Sequence, residues 1–167
     1  MRSWPIVSVL ALAACGVPLW HTPMPRPQSM PAPPSSVDDF SSIEIPRNGC
    51  LGHCPIYRIR IERVGPARYE GRCHTPLLGV YEAPADSQVF ARAVGLLLAS
   101  DFFKSDTAVG MVRDAETASI TVLLSDGRRR AVTYGPVMDP RPEQLEAMVS
   151  ALPWRFVEAR HPDRCAT

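Results

Sequence analysis

Between Cys50 and Tyr57 the chain reads CLGHCPIY, two cysteines four residues apart that enclose a glycine and a histidine, with a proline after the second. These residue types support three chemistries. Oxidised, Cys50 and Cys54 close a small turn. As thiolates they join His53 as ligands for zinc or copper. With one thiolate activated they form a redox centre. Cys73 and His74 add two further donors, but if they continue a strand they face opposite sides, so only one can join a metal site. The spacing is not that of a common zinc knuckle. The segment after Cys54 is strand-like, whereas a reactive thiolate is often stabilised at a helix N-terminus. The metal set Cys50, His53 and Cys54 is therefore the alternative to a disulfide, and thiol chemistry is the weakest reading.

The choice depends on compartment, which the N-terminus addresses. The chain opens MRSWPIVSVLALAACG, with Arg2 followed by an apolar run too short to span a bilayer and a small-residue end. Leu12 to Cys15, LAAC, resembles a bacterial lipobox. That resemblance implies a lipoprotein signal peptide over residues 1–14, cleavage before Cys15, and acylation of Cys15 that holds the protein on a membrane by its lipid. Gly16 in place of aspartate implies, for this class, the outer membrane facing the periplasm.

From Val17 to Ser36 seven of twenty residues are proline and no apolar period is present, so the stretch favours extended polyproline conformations over a fold. Residues 15–37 thus read as lipidated cysteine plus linker, and residues 38–167 as a single domain large enough for its own core. The chain carries 18 Lys+Arg against 17 Asp+Glu, and removing Arg2 leaves 17 against 17. A neutral domain carries no electrostatic footprint for nucleic acid. The one basic run, Arg128 to Arg130, reads as a solvated hairpin edge that discourages strand pairing. A contact to a phosphate or lipid headgroup is the alternative.

Five cysteines leave one odd, and lipidation of Cys15 removes it. In an oxidising compartment Cys50, Cys54, Cys73 and Cys165 are expected to pair. Of three connectivities, Cys50–Cys54 with Cys73–Cys165 is favoured because Gly52 lets the chain fold back. Loop entropy gives about 2 kcal/mol for the short bridge and about 4–5 kcal/mol for the long one.

The elements that position these residues alternate between two periods. SSIEIP (Ser41 to Pro46) and PIYRIRIERV (Pro55 to Val64) alternate as strands, the second with Tyr57, Ile59 and Ile61 on one face and arginines on the other. A turn at Gly65-Pro66 leads to a return strand through Tyr69, and a short strand comes next near Gly79 to Glu82. Val89, Phe90, Ala93, Val94, Leu97 and Leu98 form one helical face, capped by Asp86 or Ser87. Two strands then flank Asp126-Gly127, which suits a two-residue hairpin. A last helix begins at Asp139-Pro140, buries Leu145, Met148, Val149 and Leu152, and stops at Pro153. The expected fold is α+β: a two-layer domain with an antiparallel sheet of about five strands and two helices on one face, in the order β-β-β(-β)-α-β-β-α.

Placed on this order, CLGHCPIY resembles the C-x-G-x-C-P-x-Y signature of a bacterial domain family of unknown function, often found in lipoproteins and other exported proteins. The motif enters a strand, and Tyr69 to Gly71, Asp114 and Tyr134 match the family's later pattern. Cys73, His74 and Cys165 match nothing in it. The resemblance implies a fold and no activity. No G-x-S-x-G, phosphate loop or H-E-x-x-H is present in the sequence. His161 falls in the terminal tail, and Tyr57, Tyr69 and Tyr134 read as core or cross-strand packing. The expectation is a non-enzymatic binding or structural module. Its reading loop is Gly52, His53, Pro55 and Tyr57, and its partners are the membrane through the lipid and an envelope protein or anionic envelope component. The alternative is an envelope metal-binding or thiol-active protein that uses Cys50, His53 and Cys54.

Overall fold

The computed structural model describes residues 32–135 and 139–159. Residues 1–14, expected to be a signal peptide, Cys15, most of the expected linker, His161 and Cys165 lie outside the described residues.

Strands β1 (Phe40–Asn48), β2 (Ile56–Glu62), β3 (Ala67–Cys73) and β4 (Gly79–Ala83) form an antiparallel meander before helix α1 (Ser87–Ala99). A two-residue strand β5 (Ala108–Val109), β6 (Thr117–Leu124), β7 (Arg129–Tyr134), helix α2 (Arg141–Ser150) and β8 (Arg155–Glu158) complete the order. The sheet order is β5-β7-β6-β1-β2-β3-β4-β8, so β6 returns to pair with β1 on the side opposite β2. Among the described residues seven strands pair antiparallel, and β5 adds a parallel edge beside β7.

The class is α+β, as the sequence predicts, with more strands than about five. The additional β8 escapes sequence reading because all four of its residues are exposed, so no buried alternation marks it. It is held by pairing with β4, Tyr81 opposite Phe156.

One sheet face carries the core. Ile43, Ile45, Ile59, Ile61, Tyr69, Ile120, Val122 and Val132 form a single buried cluster with Val89, Phe90, Val94 and Leu97 of α1 and Leu145 and Val149 of α2. Both helices therefore cover this face. Met148, expected on α2's apolar side, is only half-buried. The opposite face stays wet through alternate residues such as Glu44, Arg58, Arg60 and Arg68, linked in ion pairs on and across strands. Asp86 caps α1, its carboxylate accepting from the N–H groups of Gln88 and Val89 at 2.9 Å.

Two local expectations are corrected. The β6–β7 connection is a three-residue loop, Ser125 to Gly127, because Leu123 pairs with Arg129 and Leu124 N–H meets Arg128 O at 2.8 Å. Gly127 (φ 87°) supplies the left-handed residue that closes such a loop, and Asp126 keeps a negative φ, which a two-residue type I′ turn would not allow. The arginine run is not a uniformly solvated edge. Arg130 donates to the carbonyls of Phe102 and Ser105 and lies 6.0 Å over the Phe102 ring, tying β7 to the turn after α1.

Candidate functional site

The Cys50–Tyr57 loop joins β1 to β2. Cys50 and Cys54 are disulfide-bonded, with Cα atoms 5.6 Å apart. Gly52 has φ 144°, in the region that disfavours side chains, and the nearest atom to a Cβ there would be 3.9 Å away. Its requirement is conformational, not steric. Bonded to each other, the two sulfurs are not available as metal-binding thiolates, so the set Cys50, His53 and Cys54 is not formed. Leu51 and His53 are exposed, and Pro55 leads into β2. Cys73 is buried opposite Ile56 and is also disulfide-bonded. Its expected partner, Cys165, lies outside the described residues. His74 is next in the chain, and His53 meets its ring at a centroid separation of 4.9 Å.

Below the loop, the covered face ends in a charged cluster that no single segment announces. Arg47 continues the buried phase of Ile43 and Ile45 on β1 and stands opposite Tyr57. An arginine in that phase needs partners. Glu146 on α2 receives Nε and Nη2 at 2.8 Å each, Glu143 one turn earlier receives Nη2 at 2.9 Å, and Glu116 before β6 receives Nη1. The Arg47 side chain is 13% exposed. Burial opposes its charge, but the hydrogen bond and charge of Glu146 outweigh this and hold its pKa above the ordinary arginine value. The same cluster acts on Tyr57. Burial, and after it the charge of Glu146, push the phenol above its ordinary value, so it remains a neutral hydroxyl.

Beside this cluster is a pocket of about 250 Å³ lined by Tyr57, Ile59, Tyr69, Leu77, Glu146 and Trp154 among others. Tyr57 stacks on Tyr69 at 5.5 Å, and Tyr69 meets Trp154 at 6.0 Å. The aromatic row extends along the sheet through Tyr81 to Phe156. The Tyr69 hydroxyl is hydrogen-bonded to Thr75. Gly71 makes the outer wall possible: a Cβ there would lie 1.7 Å from Leu77 O, so only glycine lets the segment after β3 lie across the strand.

Tyr57 and Tyr69 therefore pack as predicted and also line a cavity. Tyr134 is buried apart from them, under the Arg141 guanidinium at 5.2 Å. Glu116, Glu146, Leu77 and Trp154 are not indicated by sequence reasoning, which places Arg47 only as a charge near the cysteine motif and not in a buried cluster. The available signal was Arg47's place in an apolar strand phase, together with two glutamates three apart on α2.

A two-layer α+β domain with one wet sheet face, a disulfide-pinned loop and an aromatic pocket under it is the class these features define. The chain belongs to the family described as a domain of unknown function (DUF6438), whose pattern matches residues 41–153. No curated protein sequence matches the chain.

Proposed function

We propose that this chain is a lipid-anchored cell-envelope domain that binds a partner, with the pocket between Tyr57, Tyr69 and Trp154 as its receptor. The observation that carries the reading is the pocket's composition: three aromatic rings and Glu146, at the edge of a cluster with three carboxylates around one guanidinium. Such a pocket takes an apolar or aromatic body, and its excess negative charge favours a positive group over a negative one. An envelope protein presenting an aromatic or basic side chain fits better than an anionic envelope component. The small volume suits one side chain or one ring. The pinned loop and the glycine-dependent wall make the receptor rigid, which lowers the entropy cost of binding. The lipobox-like LAAC at Leu12 to Cys15 supports lipid anchoring, Gly16 in place of aspartate favours the outer membrane, and the proline-rich stretch serves as spacer. Pairing of Cys73 with Cys165 is part of the same reading, in an oxidising compartment.

The test is ¹H–¹⁵N NMR titration of the full chain with 2-phenylethylamine, 2-phenylethanol and phenylacetate. Shifts should concentrate at Tyr57, Tyr69, Leu77 and Trp154, be strongest for the amine, and disappear in Trp154→Ala. Shifts elsewhere, or a preference for phenylacetate, would refute the assignment. Independently, Cys15→Ser should move the protein out of the membrane fraction.

A further inference from the structure

We infer that His53 and His74 form a bidentate site for a divalent transition-metal ion, at the rim of the pinned loop and separate from the aromatic pocket. The two residues are 21 positions apart in sequence, yet their rings stand 4.9 Å apart at an interplanar angle of 67°. Two imidazoles bound to one ion at about 2.0–2.1 Å place their ring centres roughly 4.5–5.2 Å apart, for ligand angles between octahedral and tetrahedral. The observed separation falls in that range.

The backbone fixes this approach from both sides. His53 directly precedes Cys54, which is bonded to Cys50. His74 directly follows Cys73, which is buried and disulfide-bonded. His74 itself adopts φ 52°, a left-handed conformation uncommon outside glycine but enriched for histidine. Each ring is thus carried by a residue next to a cystine, and both residues are exposed to an arriving ion. Little ordering remains to be done on chelation.

The donor set selects the ion. Cys50, Cys54 and Cys73 are in disulfides, so among the described residues the two histidines offer imidazole nitrogen and no neighbouring thiolate. That chemistry suits Zn²⁺, Ni²⁺ or Cu²⁺ and does not suit Cu(I) or iron–sulfur clusters. No group of three or more histidine, cysteine, aspartate or glutamate residues that could hold a metal occurs among the described residues, so the ion keeps open positions for water or a further ligand.

The experiment uses the full, nonreduced chain, stripped with chelator and with its disulfides verified by mass. Calorimetric titration with Zn²⁺ should show one ion per chain. His53→Ala and His74→Ala should each weaken binding at least about tenfold, since loss of even an outer-shell partner of a metal ligand costs 10–100-fold. The double variant His21→Ala/His161→Ala removes the remaining histidines and should leave binding unchanged. Both targeted residues are exposed, and circular dichroism of each variant should match the parent. Absence of binding, or binding that survives either His53→Ala or His74→Ala, would overturn the site, as would loss confined to the double variant.

Discussion

Replacing Arg47 by methionine removes the one cation that three glutamates share. The cost can be worked from the contacts. Truncating one side of a buried ion pair costs about 3–5 kcal/mol, because the remaining charge stays in a poor solvent. Here the exposure of the carboxylates sets the discount. Glu143 is 56% exposed, and its contact with Arg47 contributes at most about 1 kcal/mol. Glu146 and Glu116 are 15% and 24% exposed and cannot rehydrate fully without moving α2 or the start of β6. The expected loss is therefore about 2–4 kcal/mol at neutral pH, read as a lower urea midpoint with an unchanged slope. Adding Glu146→Leu to Arg47→Met should restore much of that loss, because an apolar pair of similar volume replaces a desolvated ionic one. The cycle of the two singles and the double then gives a coupling above about 1 kcal/mol. A loss below about 0.5 kcal/mol for Arg47→Met, the range of an ordinary surface substitution, would show that the cluster is solvated and does not hold the covered face together. A double variant no more stable than the single would show the same.

Gly71→Ala should destabilise by about 1–3 kcal/mol and perturb NMR resonances of Leu77 and Thr75, since its Cβ would meet the Leu77 carbonyl and force the pocket wall outward; wild-type stability would contradict this. Tyr134→Phe should be neutral or stabilising in the same urea assay, because the Tyr134 hydroxyl is buried with no hydrogen-bond partner among the described residues while its ring keeps the Arg141 contact. In acid, hydrogen bonding to Arg141 lowers the Asp139 pKa below its ordinary value of 3.8, so the stabilisation is present above about pH 4 and is lost as pH falls through the folded-state value. Asp139→Asn should accordingly flatten the decline of stability below about pH 4 and leave its slope between about pH 5 and 8 unchanged.

The parts legible from sequence are those whose cause is local. Gly52 between two cysteines, the period of Tyr57, Ile59 and Ile61, and the face from Val89 to Leu97 each carry their reason within a few residues. The hairpin at Asp126-Gly127 was legible as a reversal but not as a loop length, because the register of Leu123 on Arg129 decides between two and three residues. The Arg47 cluster was not legible at all. Its carboxylates lie 69, 96 and 99 positions away, and only the return of β6 to β1 and the placement of α2 bring them together. Gly71 stood out as part of a pattern, but its reason is the carbonyl of Leu77, which depends on how the chain leaves β3. Trp154 sits just beyond the helix-stopping Pro153, where periodicity ends and nothing marks it as a pocket wall.

If the aromatic pocket is a receptor, its acidic edge selects the charge of its ligand. The decisive quantity is the affinity of 2-phenylethylamine relative to 2-phenylethanol, measured for the parent chain and for Glu146→Gln. Glutamine keeps the volume of the pocket-lining residue and removes its charge. In the parent the amine should bind more tightly by about 0.5–1 kcal/mol, roughly a two- to fivefold preference, as expected for a charge pair near solvent. In Glu146→Gln that preference should fall towards unity while the alcohol's affinity stays the same. Equal affinities in the parent, or a preference that survives the substitution, would contradict a charge-selective receptor at this pocket.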